Sequence, residues 1–129
     1  MRVISKAAIT RFSKLNPDSE KPLLIWYKLV RQHDFSSFAE LKAVFATADA
    51  VDNFTVFDVG GDPGPPGAGV GSRSNKYRII ARVIYKLKTV FIRNVFTHDE
   101  YNSWKADDDP WSKKGQQAQS KRKPKGGKR

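Results

Sequence analysis

Arg78 lies in the run Asn75-Lys76-Tyr77-Arg78-Ile79-Ile80-Ala81-Arg82-Val83, where basic and apolar residues alternate. A second such run passes through Arg93 into Thr97-His98-Asp99-Glu100-Tyr101. Several cations, one imidazole and one phenol are thereby strung along a β-hairpin. These are the groups that metal-free cleavage of RNA requires. A base takes the proton of a 2′-hydroxyl, cations stabilise the charge that gathers on the five-coordinate phosphorus, and an acid protonates the departing 5′-oxygen. Arginine suits the phosphate because its planar fork donates two parallel hydrogen bonds and stays charged. An imidazole suits the proton transfer because it titrates near neutrality.

Charge supports an anionic ligand. The 129-residue chain carries a net +11, but eight of its basic residues lie from Lys113 onward, where there is no acid, so residues 1–111 keep only +3. Such a tail attracts any polyanion by counterion release and gives no sequence specificity. More informative is the stretch between Pro63 and His98, with seven Lys or Arg and no Asp or Glu, because strands fix charges in space. Lys76, Arg82, Arg73 and Lys88 are the candidate RNA-binding cations there. With no cysteine and only His33 and His98, the chain offers no disulfide and little material for zinc. No metal and no cofactor is expected. The opening Met1-Arg2-Val3-Ile4-Ser5-Lys6 lacks the apolar stretch of a signal peptide, and no run is long enough to cross a bilayer, so a cytoplasmic protein without membrane attachment is expected.

The elements that must position these residues follow from periodicity. Arg2-Val3-Ile4 reads as a short strand, and Ser5 as the cap of a helix that buries Ala8, Ile9, Phe12 and Leu15. A second helix from Asp18 or Ser19, with Pro22 in its first turn, buries Leu23, Trp26, Tyr27 and Val30. Ser37-Phe38-Ala39-Glu40 fits a capping box that opens a third helix through about Phe45. Phe54 to Val59 is rich in aromatic and β-branched residues and stops at Gly60-Gly61, which marks a strand. Two further strands, about Lys76 to Tyr85 and Thr89 to Thr97, flank a tight connection, and a short helix near Asp99 to Lys105 closes the unit. Lys76, Arg78, Ile80 and Arg82 share one face of the first of these strands, leaving Tyr77, Ile79, Ala81 and Val83 to meet the helices. The fold class is α+β, with N-terminal helices on a small, mostly antiparallel sheet. Residues 62–74, made chiefly of Gly and Pro without a three-residue period, read as an inserted flexible loop, and residues 112–129 as a disordered basic tail after a domain of residues 1–111.

Each chemical reading has a structural counterpart. Arg78 and Arg82 can be the solvated side of an antiparallel sheet, His98 a structural histidine at a strand end, and Tyr101 an aromatic that packs with its hydroxyl exposed. Asp107-Asp108-Asp109 reads as a solvated turn before Pro110, since three consecutive residues do not converge on one metal. His33 and Asp34 read as a loop pair, and Trp26 and Tyr27 as core. An RNA-binding module without catalysis, or a ribosome- or DNA-associated accessory protein, remains the alternative to a nuclease.

The order of motifs carries a resemblance. Val56-Phe57-Asp58-Val59-Gly60-Gly61, then Asn75-Lys76-Tyr77-Arg78-Ile79-Ile80-Ala81, then Ile92-Arg93-Asn94-Val95-Phe96-Thr97-His98-Asp99-Glu100-Tyr101 resemble the HigB-type toxins of type II toxin-antitoxin modules. Arg2-Val3-Ile4-Ser5-Lys6-Ala7-Ala8, Trp26-Tyr27 and Phe38-Ala39-Glu40-Leu41-Lys42 extend the similarity over roughly residues 1–104. The resemblance implies a RelE-like fold and endonucleolytic cleavage of messenger RNA, commonly on the ribosome. It implies a helix-turn-helix, HigA-like antitoxin as partner, with operator DNA reached only through that complex. Among site residues it implies phosphate stabilisation by Arg78, and it places Arg93, His98 and Tyr101 at motif positions. Two features depart from the family pattern: the insertion at 62–74 beside the expected active face, and the chain after Trp104.

Overall fold

The computed structural model describes residues 1–60 and 77–117. Its elements, in chain order, are β1 (Arg2–Ile4), α1 (Ala7–Leu15), α2 (Glu20–Arg31), α3 (Phe38–Val44), β2 (Asp49–Val51), β3 (Phe54–Val59), β4 (Tyr77–Ile84), β5 (Thr89–Thr97) and α4 (His98–Ser103). The strands form one sheet in the order β1-β5-β4-β3-β2. Only the β1–β5 pair is parallel. This is the α+β, RelE-like arrangement that the sequence implies.

The two long helices form because their apolar residues recur on one stripe: Ile9 and Phe12 in α1, and Leu23, Trp26 and Val30 in α2. That stripe packs on the sheet face bearing Phe57, Val59, Tyr77, Ile79, Ala81, Val90 and Ile92, and together they make the main core. Helix boundaries depend on local chemistry that periodicity does not report. Ser5 does not cap α1, because its backbone takes the left-handed region at φ 75 and leaves its carbonyl to accept from Ala8. A 3-10 turn over Pro17–Ser19 precedes α2, and the Ser19 hydroxyl donates to the Asn16 carbonyl at 2.6 Å. Ser37 does cap α3, accepting from the Glu40 amide, while the Glu40 carboxylate accepts from Ser36 rather than from the cap residue.

The hairpin β4–β5 turns through a 3-10 segment, Tyr85–Leu87, and a left-handed Lys88 at φ 51. Its register shifts between Ile80 and Ala81, whose partners are Asn94 and Ile92, so Arg93 is an extra residue on β5. The three-residue edge strand β2 adds a pairing that alternation does not signal; it is set by the turn at Asp52, φ 56.

The second sheet face is also covered. Phe54, Val56 and Ile80 form a smaller core there, closed by Phe96, Tyr101, Trp104, Ala106 and Trp111. The chain stays ordered beyond residue 111: Ser112 is fully buried and residues 113–117 are helical. The Ser112 hydroxyl donates to the Asp107 carbonyl and accepts from the Gly115 amide. A side chain at 115 would lie 2.6 Å from the carbonyls of Asp109 and Pro110, so this turn needs glycine. The basic segment expected from residue 112 therefore begins in structured chain. Its remainder, like the expected insertion at 62–74, lies outside the described residues.

Candidate active site

Asp58 on β3 and Arg78 on β4 are directly opposed partners, so their side chains leave the same face of the sheet. The Arg78 Nε donates to the Asp58 carboxylate at 2.9 Å, and the two side chains are only 11% and 15% exposed. A further Arg78 nitrogen reaches the Tyr77 carbonyl at 3.3 Å. Residue 96 stands opposite Arg78 on the other side, and from there the chain rises into α4. A capping box sets that helix: the Thr97 hydroxyl accepts from the Glu100 amide, and the Glu100 carboxylate accepts from the Thr97 amide. The cap aims the first turn of α4 back over the sheet. Tyr101 comes to lie with its ring centroid 5.4 Å from the Arg78 guanidinium carbon. Trp104 stacks behind Tyr101 at 6.0 Å and packs edge-on against Phe54.

Electrostatics joins these groups. Burial raises the Asp58 carboxyl above its usual 3.8, Arg78 pulls against that rise, Asp49 reinforces it, and a hydrogen bond from Thr47 and the field of His98 oppose it. Burial likewise raises the Tyr101 phenol above 10.0, opposed by Arg78 and reinforced by Asp49 and Asp58. Tyr101 thus keeps its phenol proton at neutral pH and can donate a hydrogen bond. His98 opens α4 at the exposed rim, with its Nδ1 3.2 Å from the Asn102 amide. The assembly holds a carboxylate with raised proton affinity, a guanidinium, a phenol O–H and an imidazole around one end of β4.

Of the four residues expected to do chemistry, Arg78 and Tyr101 are in contact, while His98 stands exposed at the rim, bonded to Asn102 and close enough for its field to act on Asp58. Arg93 is engaged differently: its Nε bonds both oxygens of Asp109 at 3.1 and 3.0 Å, and its guanidinium covers the Trp111 ring at 4.6 Å. Asp109 is accordingly no part of a solvated turn; its side chain is 5% exposed, because the bulge in β5 turns Arg93 towards it. Asp107 and Asp108 remain exposed. Among the expected RNA-binding cations, Arg82 is half-buried on the Arg78 face. Lys88 sits at the far end of the hairpin, about 20 Å along the strand from Arg78. There its ammonium bonds the Phe35 carbonyl and the Ser36 hydroxyl. Arg73 and Lys76 lie outside the described residues. Trp26 is core, and His33 stacks on Phe35.

Asp58 is the site residue that sequence reasoning missed. Its signal was present: it is an acid on the strand face shared with Phe54 and Val56. Among the described residues no three His, Cys, Asp or Glu side chains converge as a metal site. No helix among them is long and apolar enough to cross a membrane.

A sequence model of HigB toxins, described as the RelE-like toxic component of a toxin-antitoxin system, matches residues 19–63 and 73–104. The chain belongs to the HigB toxin family. Both matched blocks carry site residues, Asp58 in the first and Arg78, His98 and Tyr101 in the second, and residues 64–72 between them go unmatched. Similar proteins include an mRNA interferase HigB of Escherichia coli O6:H1, 27% identical over 105 residues that span 79% of this chain and 89% of that protein. An mRNA interferase toxin HigB of Escherichia coli K12 is 28% identical over 109 residues, 82% of this chain and 92% of that protein. An mRNA interferase HigB of Shigella flexneri matches over the same length with the same identity. The match thereby spans the residues of the candidate site.

Proposed function

We propose that this HigB-family toxin is an endoribonuclease that cleaves messenger RNA by metal-independent attack of a 2′-hydroxyl on the adjacent phosphate. The observation that carries the reading is the Asp58–Arg78 pair beneath Tyr101, with His98 at the rim. Asp58, whose proton affinity burial has raised, takes the 2′-hydroxyl proton. The 2′-oxygen bonds to phosphorus, Arg78 and the Tyr101 phenol stabilise the phosphorane, and the 5′-oxygen leaves with a proton from His98. The products are a 2′,3′-cyclic phosphate and a 5′-hydroxyl. A protein that merely attracted RNA would gain nothing from pairing its central arginine with a carboxylate, because that pairing lowers the local positive potential.

Arg82 supplies a further cation for the strand beside Arg78, and Arg73, Lys76 and the basic residues after Gln117, all outside the described residues, add positive charge and with it sequence-independent affinity. A helix-turn-helix, HigA-like antitoxin restrains the activity in the cytoplasm, and operator DNA is contacted only through that complex. The test uses the purified protein on naked RNA and on translating ribosomes, each with chelator titrated to the limit the ribosomes tolerate. Cleavage of messenger RNA in at least one setting is expected. Intact RNA in both, or cutting of naked RNA that returns only with a particular divalent ion, contradicts the proposal.

A further inference from the structure

Residues 105–117 lie beyond the family match, which ends at Trp104, yet they are fastened across the second sheet face. One fastening is Arg93: as the extra residue of the β5 bulge it is turned from the strand ladder to meet Asp109 through both carboxylate oxygens and to cover Trp111. Asp109 also accepts from the Trp111 amide at 2.9 Å, so one buried carboxylate fixes both the arginine and the segment. The other fastening is the β2–β3 turn. There Asn53 donates to the Trp111 carbonyl at 3.0 Å, and Asp52 accepts from the Lys113 amide at 2.8 Å. Between these ties Ala106 and Trp111 close the small core of Phe54, Val56 and Ile80, in which Trp104 holds Tyr101 by stacking.

We propose that Arg93 is a positioning residue. It latches the C-terminal strap through Asp109, and the strap, by way of Trp104, holds the Tyr101 phenol over Arg78. The proposal rests on the cleavage reading for its catalytic consequence and on the strap geometry alone for its structural one. Asp109 separates it from a direct phosphate contact by Arg93, because Asp109 is too buried to touch RNA. If Arg93 served the phosphate directly, neutralising Asp109 would release it and would raise RNA affinity.

The experiment compares the full chain with Arg93→Ala, Asp109→Asn and the double variant. It measures turnover at saturating RNA, RNA affinity, and hydrogen exchange of residues 105–117, at a temperature where circular dichroism shows all four folded. Each single variant is expected to lose about 10- to 100-fold in turnover, the scale of a catalytic group displaced by an ångström, with little change in affinity. The double is expected to lose no more than the worse single, because the two residues act as one latch. Tyr101→Phe should then cost less in the Asp109→Asn background than in the parent, a coupling that mere destabilisation would not produce. Exchange in 105–117 should rise in all three latch variants. Parental turnover in Asp109→Asn beside a loss in Arg93→Ala overturns the proposal, as does unchanged exchange. If the parent cuts no RNA in any setting, the cleavage reading fails, and the exchange data still decide whether the latch holds the strap.

Discussion

The helical side of the sheet buries Phe57, Ile79, Ala81, Val90 and Ile92 against two amphipathic helices, and its core is made of apolar side chains. The opposite side places Asp58, Arg78 and Arg93 among Phe96, Tyr101, Trp104 and Trp111. There Arg78 pairs with Asp58 and Arg93 with Asp109, each at hydrogen-bonding distance, as partly buried charges require. An ion pair in such a setting is weaker support for the fold than apolar side chains of the same volume. The first face therefore stabilises the protein more, and on the proposed reading the second accepts a poorer core to hold the groups that act on RNA. That contrast makes opposite forecasts for substitutions on the two faces.

The largest effect belongs to Arg78→Ala. Loss of one preorganised donor at the phosphate is expected to lower single-turnover cleavage by about two to three orders of magnitude, with a far smaller change in RNA binding. Parental turnover at saturating RNA would reduce Arg78 to a positioning charge. On the helical face, Leu23→Ala removes a fully buried side chain and is expected to cost about 2–5 kcal/mol in chemical denaturation. Cleavage per folded molecule should stay at the parental level, and a specific loss there would erase the division between the faces. Thr97→Ala removes the cap that aims α4 and is expected to cost about 1 kcal/mol. Because α4 carries His98 and Tyr101, its turnover should fall further than its stability, which single-turnover assays beside urea melts would reveal.

The smallest effect is a pH slope. Burial raises the folded-state pKa of Asp58 above 3.8, so the folded protein holds that proton more tightly than the unfolded chain does. The contribution to stability is full below the unfolded value. It declines as pH rises from there through the folded value, and it is level beyond. Asp58→Asn should remove that decline from thermal melts taken from pH 3.8 upward, where a raised carboxyl titrates. An unaltered slope would show that Asp58 is not the group responsible.

Much of the helical face was legible in the chain, since Leu23, Trp26 and Val30 recur with the helical period and Tyr77, Ile79 and Ala81 alternate with it on the facing strand. Arg78, His98 and Tyr101 stood out in the chain as candidates because cations without acids and a lone imidazole are conspicuous. Their neighbours were hidden by tertiary choices. Which of Asp107, Asp108 and Asp109 turns inward depends on Arg93, sixteen residues away. The meeting of Asp58 with Arg78 depends on a strand register that crosses the Gly- and Pro-rich segment. The edge strand β2 has three residues and no alternation, so only its pairing with β3 reveals it.

The most direct measurement is the chemistry of the ends left on cleaved messenger RNA, read by end-specific ligation and by mass spectrometry. Attack by the 2′-hydroxyl under Asp58, Arg78, His98 and Tyr101 predicts a 2′,3′-cyclic phosphate, or its hydrolysed phosphate, facing a 5′-hydroxyl. Fragments ending in a 3′-hydroxyl and a 5′-phosphate would mean that water, not the ribose, attacked the phosphorus, and would contradict the account.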